Sequence, residues 1–299
     1  MAIRIGDLGQ NQRLTGFVLQ TQGRIRDAQL DIASGTRAQR WDEISDRARL
    51  LEATRDQRSV AQRLLAEDEK VLGRIQAMDA ALGGMAELAE RFRTLLVARL
   101  GEPGRSAIPL VAEVDQMAAE LGSLLNRQLD GRYLFAGSRD TTPPVVLPDP
   151  LPTTADATLY YQGDAVVPTV RADTNVEIAY GATADAAPFA ELVAALGQAR
   201  EAQLADDRAG LEQALATAAG ALEGIADERG RLGVAGARLE SIVDVHRATI
   251  PYLEELESTI AGTDIAEATT RLARDQANLE ATYLVVARLN QLSLADYLR

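Results

Sequence analysis

The chain has no cysteine, and among its 299 residues it has only one histidine (His246), one lysine (Lys70) and one tryptophan (Trp41). The absence of cysteine excludes a disulfide framework and thiol chemistry. One histidine cannot furnish the several nitrogen and sulfur ligands of a zinc site. Aromatic residues are 4% of the chain against 46% apolar overall, so its cores must be aliphatic, as in helical bundles. No apolar stretch approaches the ~18–20 uncharged residues of a membrane span, so no membrane contact is expected. The first residues, Met1 to Gln10, lack the apolar region of a cleaved Sec signal. Net charge is −13 with no segregated basic patch, which argues against nucleic acid as a partner.

Catalytic patterns are also missing. There is no G-x-S-x-G elbow, no P-loop and no G-x-G-x-x-G fingerprint. His246 falls in register with Leu239, Val243, Ile250 and Leu253, the placing of a histidine at the core or flank of a helix. Glu254-Glu255 and Asp206-Asp207 are adjacent pairs, which a helix points about 100° apart, so they read as solvated faces. Asp156 to Asp164 lacks calcium-loop spacing. Gly230, Gly233 and Gly236, three apart within a helical pattern, suggest close helix packing. No catalytic, cofactor-binding or metal residue is assigned, no cofactor is expected, and the chain does not read as an enzyme.

What the sequence does have is heptad patterning at both ends. Ala61, Leu64, Asp68, Val71, Ile75, Met78, Leu82, Met85, Ala89, Phe92 and Leu96 follow in alternating steps of three and four, with only Asp68 out of character. Leu211, Leu215, Ala218, Leu222, Ile225, Arg229, Leu232, Gly236 and Leu239 repeat the pattern. Ile265, Leu272, Leu279 and Val286 lie seven apart. Such a repeat keeps one narrow stripe facing a partner helix and implies a coiled coil. The expected intramolecular core is Leu64, Val71, Ile75, Met78, Leu82, Met85, Phe92, Leu96, Leu215, Leu222, Ile225, Leu232 and Leu239.

The fold class is therefore mainly α: an elongated coiled-coil bundle formed by N- and C-terminal arms, with a small β-rich insertion. The pattern predicts a first helix from about 10 to 33, with Leu14, Val18, Thr21, Ile25, Ala28 and Ile32 as its stripe and Ser34-Gly35 as its stop. Residues 36–45 read as a loop. A second helix spans about 46–100, and its 61–96 stretch alone is roughly 54 Å long. Gly101 to Gly104 break it, and a third helix runs from about 109 to 129, ending at Asp130-Gly131. Residues 139–188 hold seven of the ten prolines. Strands are predicted at 158–162, 166–170 and 176–180. This insertion is expected to be separable from the helical arms. Helix resumes at Phe189 and continues to Leu298 with a break at Pro251 or Gly262. The divisions are 1–45, 46–138, 139–188, 189–262 and 263–299.

Four segments carry a resemblance. Ala33-Ser-Gly-Thr-Arg37 resembles the turn that ends the first helix in the flagellin-like family. Asn126-Arg-Gln-Leu-Asp-Gly-Arg-Tyr-Leu-Phe-Ala-Gly-Ser138 is similar to that family's Gly-x-Tyr-x-Phe-x-Gly turn. Arg229-Gly-Arg-Leu-Gly-Val-Ala-Gly-Ala-Arg-Leu-Glu240 is similar to its R-x-x-L-G-A-x-x-N-R-L-E segment, with Ala237 in place of the asparagine. Leu292-Ser-Leu-Ala-Asp-Tyr-Leu298 resembles its C-terminal ending. The family's Asp-Asp-Pro after the first turn is replaced by Ile44-Ser-Asp-Arg-Ala48. Thr141-Thr-Pro-Pro144 and Tyr161-Gln-Gly-Asp164 resemble hook–filament junction members more than filament flagellins.

The resemblance implies a structural subunit of the bacterial flagellum, extracellular, exported through the type III apparatus with an export chaperone and without a cleaved Sec signal. Its implied partners are further copies in a helical ring, a neighbouring hook-associated junction protein, and flagellin. It implies an inner layer from the terminal helices 1–33 and 265–299, an outer coiled-coil layer from 46–135 and 189–262, and 139–188 exposed. The assembly positions are then Leu14, Val18, Ile25, Ile32, Ile265, Leu272, Leu279, Val286, Leu292 and Leu298, expected to lack a partner in the single chain. The alternatives are a filament flagellin with a reduced outer domain and, from a different class, a non-flagellar coiled-coil adaptor.

Overall fold

The structure, a computed structural model, describes residues 2–35, 48–101 and 109–297, with side chains described for 12–35, 48–101 and 109–288. The loop expected at 36–45 with Trp41, the start of the second helix at 46 and 47, and Leu298 lie outside the described residues; Leu292 is described in its backbone only. Six helices dominate: α1 (Ala2–Ser34), α2 (Ala48–Gly101), α3 (Leu110–Leu125), α4 (Ala187–Leu204), α5 (Arg208–Ala261) and α6 (Ile265–Tyr297). Between α3 and α4 lie two short antiparallel hairpins, β1 (Gln128–Leu129) with β2 (Arg132–Tyr133), and β3 (Thr169–Asp173) with β4 (Val176–Ala179). The mainly α class with a small β insertion is what the sequence implied.

The chain divides into two units, residues 1–60 with 249–299, and residues 61–248. Both divisions fall inside helices, within α2 and α5, and not at the turns that the sequence marks. The 61–248 unit holds one continuous core. Of the predicted positions, Ile75, Met78, Leu82, Met85, Phe92, Leu96, Ile225, Leu232 and Leu239 are buried in it, while Leu64, Val71, Leu215 and Leu222 are half-buried. Bidentate ion pairs link its helices: Arg229 on α5 to Asp79 on α2 at 2.9 and 3.2 Å, and Arg91 on α2 to Glu120 on α3 at 2.7 and 2.8 Å. Arg229 is therefore an exposed ion-pair residue and not a member of the seam.

Several local expectations are corrected. The third helix ends at Leu125 rather than 129, because Asp130 and Gly131 (φ 52° and 76°) turn the chain into the β1–β2 hairpin. The strand predicted at 158–162 is a 3-10 turn, Ala157–Leu159, followed by a single bridge from Tyr161 to Val145. Asp156 causes this, since its carboxylate accepts from the Thr158 backbone and hydroxyl and closes the turn locally. The strand predicted at 166–170 lies at 169–173, because Pro168 has no N–H to give to a ladder. The helix read from 189 onward is two helices. Asp206 (φ 53°) sits in the left-handed region at their junction, and the Asp207 carboxylate accepts from Ala209 N–H at the start of α5. The Asp206-Asp207 pair is thus a connector and not a helix face. Pro251 lies inside α5, and the helix ends ahead of Gly262.

The insertion is not a separate body. Val145, Tyr160, Val170, Ala172, Ile178 and Tyr180 belong to the same core as the helices. Phe135 meets Phe189 edge-on at 6.1 Å, and the fully buried Tyr160 donates its hydroxyl to Ala184 O at 2.9 Å. Asn126 grips Val145 with both ends of its amide, at 2.8 and 3.0 Å. Gly137 (φ 68°) approaches Asp164 so closely that a Cβ would overlap its carboxylate and carbonyl. The motif from Asn126 to Ser138 is therefore the clamp that seats the insertion on the helices. Hydrogen bonds, first from the Ser138 hydroxyl, hold the Asp164 carboxyl below the usual carboxylate range.

Candidate assembly interface

Helices α1 and α6 form an antiparallel pair. Thr263 N–H donates to Gly35 O at 3.1 Å at one end, Arg24 lies 3.9 Å from Asp275, and Gln22 donates to the Tyr283 hydroxyl at 2.8 Å. Gly35 (φ 69°) stops α1 in the left-handed conformation, as the Ser34-Gly35 signal suggested. Asp264 starts α6, its carboxylate accepting from Ala266 and Glu267 N–H at 2.9 and 3.1 Å. The two cap residues thus set the register in which the terminal helices meet.

The seam of α1 is the predicted stripe. Leu14, Val18, Ile25, Ala28 and Ile32 are half-buried and Thr21 is fully buried, its hydroxyl bonded to Phe17 O at 2.8 Å. On α6 the half-buried positions Leu272, Leu279 and Val286 interleave with Ala268, Asp275 and Thr282, while Ile265 is 54% exposed. The expectation that these stripes lack a partner within the chain is not met, since α1 and α6 pack on each other. The pairing is thin, however. Half of the α6 seam is alanine, aspartate and threonine, so it buries little apolar surface.

Sequence periodicity missed the outward faces. Phe17, Leu19 and Leu30 on α1, and Tyr283, Leu284 and Val285 on α6, are between 43% and 67% exposed. The signal was there as the consecutive apolar run Leu284-Val285-Val286, in which one helix face cannot take all three residues. Fully burying one such aliphatic side chain is worth about 1.5–3 kcal/mol, so these faces are energetically suited to meeting other helices. In the same unit, Leu51, Ile260 and Ala261 form a small separate core, flanked by Arg58 to Glu257 at 3.1 Å and Arg55 to Glu257 at 3.6 Å.

The glycine triplet behaves unevenly. A Cβ at Gly236 would lie 3.2 Å from Ile75 Cγ2, so α5 does pack closely on α2 there. Gly230 and Gly233 have open space within the chain, which corrects the close-packing reading at those two positions. No described group of three histidine or acidic residues is arranged to hold a metal ion. No helix among the described residues is long and apolar enough to cross a membrane.

Residues 215–298, which span most of α5 and all of α6, match the family model described as the bacterial flagellin C-terminal helical region. That C-terminal stretch is flagellin-like. FlgL of Bacillus cereus shares the fold with a TM-score of 0.56 at 20% identity, over 70% of this chain and 99% of that one. A putative flagellar hook-associated protein of Vibrio parahaemolyticus does so with a TM-score of 0.60 at 12% identity, over 74% of this chain and 100% of that one. No curated protein sequence matches the chain. The flagellin-like region therefore includes α6 and its outward apolar residues.

Proposed function

We propose that the chain is a structural subunit of the bacterial flagellum, assembling at the hook–filament junction in the manner of hook-associated protein 3. The observation that carries this reading is the shared fold over the whole length of FlgL and of the Vibrio hook-associated protein, in a chain that holds a flagellin C-terminal helical region. The apolar outward faces of α1 and α6 supply the means of association. Copies of the chain stack through these faces into a ring, with a hook-associated junction protein on one side and flagellin on the other. The terminal helices 1–33 and 265–299 form the inner layer, and the chain reaches its place through the type III export route with a chaperone. Leu14, Val18, Ile25, Ile32, Leu272, Leu279 and Val286 lie on the seam that orients those faces, with the exposed Ile265 at the start of α6; Leu292 and Leu298 join them as assembly positions on the resemblance alone.

The test is a deletion strain. It should build hooks, shed flagellin into the medium and swim again when the full chain is restored. Normal filaments in the deletion strain would refute the proposal. Immunogold labelling separates the junction role from that of a filament flagellin: one short zone above the hook is expected, and label along the whole filament would favour flagellin.

A further inference from the structure

Asp68 stands in the α2 seam, where its neighbours in register, Leu64, Val71 and Ile75, are apolar, and it is fully buried. No protein group among the described residues hydrogen-bonds to either of its carboxylate oxygens. Facing it from α5 is His246, also buried. Its Nε2 lies 3.9 Å from Asp68 Oδ2 and 2.9 Å from the carbonyl oxygen of Ala172 on β3. One imidazole thus touches both a buried helix carboxylate and the backbone of a strand. The hairpin turns its buried side chains Val170, Ala172 and Ile178 into the core that α2 and α5 share.

The charged groups around the pair come from every element packed there. Glu67 on α2 and Asp173 on β3 both act on Asp68, and both are acidic. Tyr180, just beyond β4, feels Arg74 and Glu67. One residue further along the helices, Glu69 pairs with Arg247 at 2.8 Å, and Arg247 also reaches Asp244 at 3.4 Å. Among the groups acting on Asp68, His246 is the one that favours its charged form.

We propose that Asp68 and His246 form a proton-sensitive latch that fastens the β3–β4 hairpin to α2 and α5. While the Asp68 carboxyl is protonated no charge is buried there, and the Nε2–H of His246 donates to Ala172 O across the docked hairpin. When that proton leaves, an anion is buried with no donor and with Glu67 and Asp173 beside it. Lifting the hairpin admits water to it. Burial, opposed by His246 and reinforced by Glu67 and Asp173, pushes the Asp68 carboxyl up to about 6 from 3.8. The docked hairpin therefore binds the proton more tightly than the lifted one. Its advantage is full below about 4 and is lost as pH rises through 6.

Hydrogen exchange of the soluble full chain tests this, with rates corrected for intrinsic chemistry and α3 amides as the internal reference. Between pH 5 and 7.5 the opening ratio of residues 169–179 should rise about tenfold relative to α3. Asp68→Asn, which has nearly the same shape and no charge, should flatten that dependence and leave the hairpin protected at both pH values. Glu67→Gln and Asp173→Asn should keep the dependence with a lower midpoint. A pH-independent hairpin in the unaltered chain would overturn the latch. So would an unchanged pH dependence in Asp68→Asn, or its loss in Glu67→Gln or Asp173→Asn. Because the last two substitutions lie on the rim of the site, the test does not depend on Asp68→Asn folding.

Discussion

Leu82→Ala should separate the part of this chain that folds from the part that assembles. Leu82 is fully enclosed in the middle of α2, in the same core as Met78, Met85 and Ile225. Truncation removes its whole branched end and leaves a cavity between long helices that cannot readily collapse. The cost should be in the upper part of the range for such changes, about 3–4 kcal/mol. At about 2–4 °C per kcal/mol for a unit of this size, the melting temperature should fall by roughly 6–16 °C. Leu279→Ala on α6 is the comparison. Leu279 is half-buried in a seam that alternates with Asp275 and Thr282, so its loss should cost below about 1.5 kcal/mol. Both variants would be unfolded in urea and followed by circular dichroism at 222 nm, with Leu82→Met as a volume-conserving control. Leu279→Asp should also block incorporation into the flagellum while export into the medium continues. The reasoning fails if Leu279→Ala destabilises the free chain as much as Leu82→Ala, or if Leu82→Ala lies within about 0.5 kcal/mol of the parent.

Limited trypsin digestion of the free chain should cut at Arg24, Arg271 and Arg274 before Arg74 or Arg229, since the thin α1–α6 seam opens more cheaply than the central core; equal cleavage rates would count against this. Replacing residues 139–188 by a Gly-Ser linker should lower the urea midpoint of the helical signal, because Tyr160, Val170 and Ile178 share the helical core, and an unchanged midpoint would show that the insertion is separable after all. Gly230→Ala should stabilise the chain by about 0.5–1 kcal/mol, since it replaces glycine inside a helix with nothing nearby to clash. Gly236→Ala, pressed against Ile75, should not share that gain; identical shifts for the two would refute the packing argument.

The helical parts of this protein could be read from the chain because their information is local and repeated. Steps of three and four over many turns name a seam whatever it packs on, and the seam positions from Ile75 to Leu96 are buried. Caps and stops are local as well, which is why Ser34-Gly35 ended α1 where it was expected to. The hairpins were less legible. A Tyr-Tyr run with strand propensity at 160–161 was overruled by one side chain, Asp156, closing a 3-10 turn. The break at Asp206-Asp207 depends on a left-handed residue that no periodicity records.

The sequence by itself determined the helix periods, the caps and the poverty of chemistry-bearing residues, since each is a property of a few neighbouring positions. Only the tertiary structure decided what each stripe meets. Periodicity names the residues on a helix face, but not the surface across from it. It could not say that the α1 stripe would find α6, that Gly230 would face open space while Gly236 touches Ile75, or that the insertion would share the helical core. The same limit hid the most informative residue. Along the chain Asp68 is one irregular letter in a heptad, and it becomes a buried carboxylate beside the lone histidine only when α2, α5 and β3, distant in sequence, are brought to one place.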